Sequence, residues 1–289
     1  MTRDGSTSEP PAAPTLAAVW VVDLDGIGAD AVDDLARRWL DREERSGAAA
    51  KRDPSDRRRV LASHLALRLV LGSWLGRHPA EVRLTRAACP LCREPHGRPV
   101  LDDPAWRASR SFSLSRSGDL AAVVVASGPL AVGIDIEARP PLVGADDLHA
   151  GRHPDEDAAL AALPHDQRDL AALRCWTRTE AVLKGWGTGL GVDPAAVAVG
   201  LGSSPPPGEV DATPIGPVTL PEHDLRRAPW TVVDVGVAAP AVVAAAVGSN
   251  QRSSADDAAP PVEVEVHEVA LDELLARHPD TTVIGARSG

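Results

Sequence analysis

The chain has no tyrosine, one phenylalanine, one methionine and only two lysines, Lys51 and Lys184, in 289 residues. Its aromatic set is almost wholly tryptophan, and its positive charge is almost wholly arginine. In a background that supplies arginine wherever arginine would do, a lysine that persists is informative. Three cysteines (Cys89, Cys92, Cys175) do not make a disulfide framework. The most apolar late stretch, Val232 to Val247, is broken by Asp234 and Pro240 and falls short of a membrane span. There is no G-x-x-x-x-G-K-[ST] loop, which disfavours a P-loop nucleotide enzyme, and no H-E-x-x-H pattern among the histidines. A net charge of −11 argues against general nucleic-acid binding. Residues 1–15 are polar and proline-rich, lack an apolar signal core and read as a disordered lead. The expectation is a cytoplasmic protein with no membrane and no nucleic-acid partner.

What is present is uneven. Ten basic residues fall between Arg37 and Arg68 against five acidic ones. A locally basic segment in an acidic chain suits a small polyanionic ligand, an acidic partner or an ordinary solvated helix face. Periodicity predicts a strand over 17–23 and a helix over 31–45. A second helix, N-capped by Asp56, should run to Gly76, and a short strand should cover 81–85. A Cys-, Pro- and Gly-punctuated loop follows over 87–99. Strands are expected at 111–114, 120–126 and 130–137, with Ser127-Gly128-Pro129 as the turn between the last two. Helices are expected at 146–163 and 166–186, weak strands over 200–229, and a hairpin at 230–235 and 241–247. A linker then leads to a strand at 262–266 and a short helix at 271–277. The order of elements suggests two α+β halves, 16–127 and 128–248, with 249–289 as a linker and strand-helix extension.

Two segments carry chemistry. In Val132-Gly-Ile-Asp-Ile-Glu137, strand alternation turns Val132, Ile134 and Ile136 to a core and places Gly133, Asp135 and Glu137 on the opposite face. Two carboxylates two residues apart can converge on one cation, and oxygen-only ligation suits Mg²⁺. Gly133 would leave room for a phosphate. A half-exposed strand with polar residues outward gives the same pattern. In Trp176-Thr-Arg-Thr-Glu-Ala-Val-Leu-Lys184, Glu180 and Lys184 share one helix face, ahead of the glycine-rich exit Gly185 to Gly189. An ordinary surface ion pair has that spacing too. Cys89, Cys92 and His96 offer three zinc-type ligands, but a closed structural zinc site takes four and no fourth stands out.

In this order, Gly133-Ile-Asp-Ile-Glu137, Trp176 to Lys184 and Gly187-Thr-Gly-Leu190 resemble the paired motifs of the Sfp-type 4′-phosphopantetheinyl transferases. Arg59 to Arg68 resembles that family's early arginine helix. Pro95-His-Gly-Arg-Pro99 resembles its H-G-K-P loop, and Phe112 to Ser117 its F-N-[IL]-S-H-S strand. The resemblance covers about residues 15 to 277. It implies an α+β fold of two pseudo-twofold-related halves in one chain, most simply a monomer, with coenzyme A between the halves.

The resemblance also implies an activity: transfer of phosphopantetheine from coenzyme A to a serine of an acyl or peptidyl carrier protein. The carriers would serve polyketide or nonribosomal peptide synthesis. Asp135, Glu137 and Glu180 would hold Mg²⁺, or Mn²⁺ in its place. Glu180 and Lys184 would be catalytic, Lys184 also pairing with the diphosphate. Arg59, Arg98, Ser115 and Arg116 would hold the nucleotide end of coenzyme A. Arg116 stands where the family has histidine, Thr179 where it has lysine, and Ser113 where it has asparagine. Arg116 and Thr179 keep open an impaired homologue that only binds coenzyme A or a carrier, and the same carboxylates would also serve a metal-dependent phosphohydrolase.

Overall fold

A computed structural model describes residues 15–140, 151–223, 225–249 and 258–278. The described chain builds four layers, helix, sheet, sheet and helix. The first sheet has the order β12-β1-β5-β4, from Val262–Ala270, Thr15–Asp23, Leu120–Ser127 and Arg110–Ser117. The second has the order β6-β11-β10-β7, from Ala131–Ala138, Ala241–Gly248, Trp230–Val235 and Val210–Ile215. Two small hairpins flank them, β2 (Leu84–Arg86) with β3 (Pro99–Leu101), and β8 (Val218–Leu220) with β9 (Leu225–Arg227). This mixture of helices and antiparallel-rich sheets is the expected α+β class.

Alternation along the strands decides the layers. Val19, Val21, Ala122 and Val124 of the first sheet meet Val132, Ile134, Ile136, Val243 and Ala245 of the second in one buried core. The opposite face of the first sheet (Val22, Ala121, Val123, Val125) packs on α1 (Ala29–Trp39), α3 (Pro54–Leu75) and α7 (Leu271–Ala276). The outer face of the second sheet receives α6 (His165–Trp186), after α5 (Pro154–Ala162). The turn at Ser127-Gly128-Pro129 is present, but it crosses from one sheet to the other, because β5 and β6 are not ladder neighbours. The last strand returns to the first sheet, where β12 lies parallel to β1 from Thr15↔Val262 to Asp23↔Ala270.

Several boundaries differ from expectation, each for a local reason. The helix expected over 31–45 is two. α1 ends at Trp39, and Asp41 opens α2 (Arg42–Ala49) with a capping box in which Asp41 and Glu44 satisfy each other's backbone N–H. α3 starts at Asp53, not Asp56: the Asp53 carboxylate accepts from Ser55 N at 2.7 Å, and Pro54 fills the first turn. It stops at Gly76 as expected, in the left-handed conformation. The strand expected over 81–85 is a 3-10 turn, Pro79–Glu81, followed by β2. The helix α4 (Pro104–Ser109) was not anticipated. Of the helix expected over 146–163, residues 146–150 lie outside the described residues.

Gly133 does not make room for a phosphate. A Cβ there would run into Ala181 O and Gly185 N, so the glycine exists to let α6 lie directly on β6. Gly133→Ala is therefore expected to lose about 3 kcal/mol of stability by overpacking. Gly47→Ala, in α2 with nothing within 4 Å of the added methyl, should be neutral or slightly stabilising. Paired urea melts measure both, and equal midpoints for the two variants would contradict this packing.

Candidate active site

β4 and β6 are edge strands of different sheets, and a row of serines ties them together. Residues 111, 113, 115 and 117 alternate with Phe112, Leu114 and Arg116, so the serines share one face of β4. Ser111 Oγ accepts from Val132 N at 3.2 Å, and Ser115 Oγ donates to Asp135 Oδ1 at 2.7 Å. Ser117 Oγ donates to Glu137 Oε2 at 3.0 Å and accepts from Ala138 N at 3.0 Å. The carboxylate-bearing face of β6 is thereby fixed against the neighbouring sheet. Sequence reasoning found Ser115 and missed Ser111 and Ser117. The signal was the period-two serine pattern of Arg110–Ser117.

The helix α6 supplies the second side of the site. Its close seat on Gly133 brings Lys184 Nζ to 2.5 Å from Asp135 Oδ1 and 2.8 Å from Ser115 Oγ. Asp135 is 3% exposed, and its other oxygen, Oδ2, is buried with no hydrogen-bond partner. A buried acceptor left unsatisfied costs on the order of 1–3 kcal/mol, more if charged, so the arrangement is held for a reason other than stability. Burial, with the nearby Asp135 and Glu180 charges, pushes the Glu137 carboxyl up to about 7. Burial, aided by Asp135, also raises Glu180 despite Lys184 beside it. The three acids thus face one another in a poorly solvated space. They do not form a tight trio: among the described residues, the group of three or more His, Cys, Asp or Glu ligand atoms within 4.8 Å of one another is Cys89, Cys92 and His96. Lys184, seated on Asp135, takes the position of the positive charge.

Beside this cluster lies a cleft of about 640 Å³ that Ser115 and Lys184 also line. Arg86, Arg98, Arg116, His64 and Gly187-Thr188-Gly189 line it as well. Arg86 is neutralised by Glu43 at 2.7 Å. Arg98 is half-buried and donates to Ser111 Oγ at 3.1 Å, and no carboxylate pairs with it among the described residues. A partly desolvated guanidinium without a counter-ion is suited to an incoming anion. Arg116 is exposed at the same wall. Arg59 stands apart: its guanidinium grips Asp119 at 2.7 and 3.1 Å and Asp56 at 3.2 Å, and it is not among the lining residues. Asp135, Glu137 and Glu180 are not in the lining either, so the acids adjoin the cleft through Ser115 and Lys184.

Other predicted features move. Much of the basic run from Arg37 to Arg68 is internally neutralised: Arg37 and Arg38 pair with Asp34, Arg58 with Asp25, and Arg68 with Glu44. Thr179 is buried, with Oγ1 donating to Cys175 O at 3.0 Å, so this position faces packing rather than the cleft. Arg178 is fully buried on Asp234 at 2.6 Å and Val199 O, pointing away from the acids.

The family model of the 4′-phosphopantetheinyl transferase superfamily matches residues 131–218, which include β6 and α6. The chain is also 33% identical over 174 residues to the 4′-phosphopantetheinyl transferase HetI of Nostoc sp., covering 60% of this chain and 69% of that protein. The chain belongs to the 4′-phosphopantetheinyl transferase superfamily. Phosphopantetheinyl transferases use coenzyme A as substrate and act on carrier-protein domains, and this chain is a transferase of that class. Among the described residues no helix of this transferase is long and apolar enough to cross a membrane.

Proposed function

We propose that this transferase moves the phosphopantetheine arm of coenzyme A onto a serine of an acyl or peptidyl carrier domain of polyketide or nonribosomal peptide synthesis. It would act in the cytoplasm as a monomer, release 3′,5′-ADP and depend on Mg²⁺. The observation that carries this reading is Asp135, a buried carboxylate with one unsatisfied oxygen beside an arginine-lined cleft. Oxygen donors from Asp135, Glu137 and Glu180 match the preference of Mg²⁺ for hard ligands, and Mn²⁺ would substitute. Raised carboxyls on Glu137 and Glu180 fit a space that lacks positive charge beyond Lys184. When bound, the ion supplies charge neutralisation to the diphosphate and the leaving group.

The protein's own groups supply the rest, since phosphoryl transfer relies mainly on positioning and electrostatics. The halves 16–127 and 128–248 would give the two walls, with 249–289 adding to the first. Arg98 and Arg116 would hold the phosphate of the nucleotide end, with Arg59 at the rim and Ser115 fixing Asp135. Lys184 would leave its seat on Asp135 to hold the departing phosphate. Glu180, with its pKa raised by burial, is the better-placed base for the carrier serine proton, directly or through a water.

The test is an intact-mass measurement of an apo carrier incubated with coenzyme A, Mg²⁺ and the protein. The expected result is a mass gain of one phosphopantetheine arm, lost in excess chelator. Binding of coenzyme A with no gain would overturn transfer in favour of a binding module. Release of phosphopantetheine without a carrier would favour a phosphohydrolase. Turnover that survives the chelator would overturn the metal dependence.

A further inference from the structure

The loop between β2 and β3 contains a cluster to which the proposed transfer assigns no role, although Cys89 and His96 also line the cleft. Cys89, Cys92 and His96 place three ligand atoms within 4.8 Å of one another, with Cys92 Sγ 2.9 Å from His96 Nε2. A tetrahedral zinc with Zn–S near 2.3 Å and Zn–N near 2.1 Å spaces such atoms about 3.6 to 3.8 Å apart, so small side-chain shifts admit the ion. The backbone is folded for it. Backbone N–H groups of Cys92 and Leu91 donate to the Cys89 sulfur and fix its orientation. The turn closes through Arg93 N donating to Cys89 O at 2.8 Å and Cys89 N donating to Glu94 O at 2.7 Å. It also holds Arg93 at φ 71°, the one non-glycine residue in the left-handed region among the described residues. Such a conformation costs on the order of 1–3 kcal/mol and persists only where its surroundings impose it.

We propose that Cys89, Cys92 and His96 bind one Zn²⁺, with the fourth position left to solvent. The placement says what the ion would do. Leu91, inside the turn, packs on the core beneath α6, where a Cβ at Gly191 would come within 2.7 Å of Leu91 Cδ1. At the other end of the loop, Gly97 N donates to Ala87 O at 2.9 Å and Ala87 N to Arg98 O at 3.0 Å, which aims Arg98 at Ser111 and the cleft. The ion would staple a loop that is docked on the α6 side and carries Arg98 from the β2–β3 side. Zinc binding stands on the three ligands alone; only its effect on coenzyme A rests on the function proposed above.

The experiment is elemental analysis of untagged, full-length protein after incubation with ZnCl₂ and removal of free metal. One zinc per chain is expected in the wild type, and background zinc in Cys92→Ser and in His96→Ala. Both side chains are exposed, so the variants should melt like the wild type without metal, which keeps a negative result interpretable. Cobalt substituted into the wild type should give thiolate-to-metal absorption that Cys92→Ser loses. A wild type with no zinc, or zinc retained by both variants, overturns the site. The second readout is kinetic: Cys92→Ser should raise KM for coenzyme A several-fold with kcat little changed. An unchanged KM with zinc lost would remove the link to Arg98 while leaving the metal site standing.

Discussion

Asp135→Ala is expected to abolish transfer, with kcat/KM down by at least about 10³, or about 4 kcal/mol of transition-state stabilisation. The substitution removes three things at once: the unsatisfied Oδ2, the seat of Lys184 and the acceptor of Ser115. Asp135→Asn separates them. An amide keeps the shape and can still accept from Ser115, but it offers neither a charge to Lys184 nor a good ligand to a hard cation. It should be nearly as inactive as the alanine variant while melting closer to the wild type. An Asn variant with substantial turnover would mean that Asp135 serves the architecture of β4 and β6 rather than the reaction.

The second large effect concerns acid stability. Glu44, which lines the cleft, forms a buried pair with Arg68, whose Nη2 lies 2.7 Å from Glu44 Oε2. Arg68 also donates to Val82 O at 2.7 Å and to Pro79 O at 3.3 Å, so it anchors α3 to the segment leading into β2. Burial alone would raise the Glu44 pKa, but the neighbouring His64 and the Arg68 guanidinium together hold it down at about 2. A folded-state pKa below the ordinary 4.5 stabilises the fold above pH 4.5, and that contribution is lost as pH falls towards about 2. The shift corresponds to roughly 3 kcal/mol. Glu44→Gln leaves the buried guanidinium with Asp41, 3.5 Å away, as its remaining carboxylate and should cost about 3 kcal/mol at neutral pH. Its stability should then vary much less with pH between 4.5 and 2, which urea melts across that range would measure. A variant with the wild-type acid slope would show that other carboxylates govern it.

The legible and illegible parts of this molecule divide by range. Val132 to Glu137 could be read because strand alternation is local, and Glu180 with Lys184 because helix spacing is local. Their joining was indicated only by family resemblance, since nothing in either segment alone specifies that α6 sits on β6. The role of Gly133 is illegible for the same reason: the atoms it admits, Ala181 O and Gly185 N, lie about fifty positions along the chain. The parallel pairing of β12 with β1 is likewise a long-range register with no local mark. Two helix boundaries do carry local marks. Asp41-x-x-Glu44 is a capping-box pattern that marks the break between α1 and α2, and Asp53-Pro54 is a stronger helix start than Asp56. The basic run misled because its partners, Asp25, Asp34, Glu44 and Asp119, come partly from other elements and cancel much of its charge.

The most direct test of the site is a crystal structure of the protein with coenzyme A and Mn²⁺, with the ion located by its anomalous scattering. The account predicts one Mn²⁺ among Asp135 Oδ2, Glu137 and Glu180, the diphosphate against that ion and Lys184, and the nucleotide phosphate within reach of Arg98. Coenzyme A seated elsewhere, or a metal that leaves Asp135 Oδ2 untouched, would contradict it.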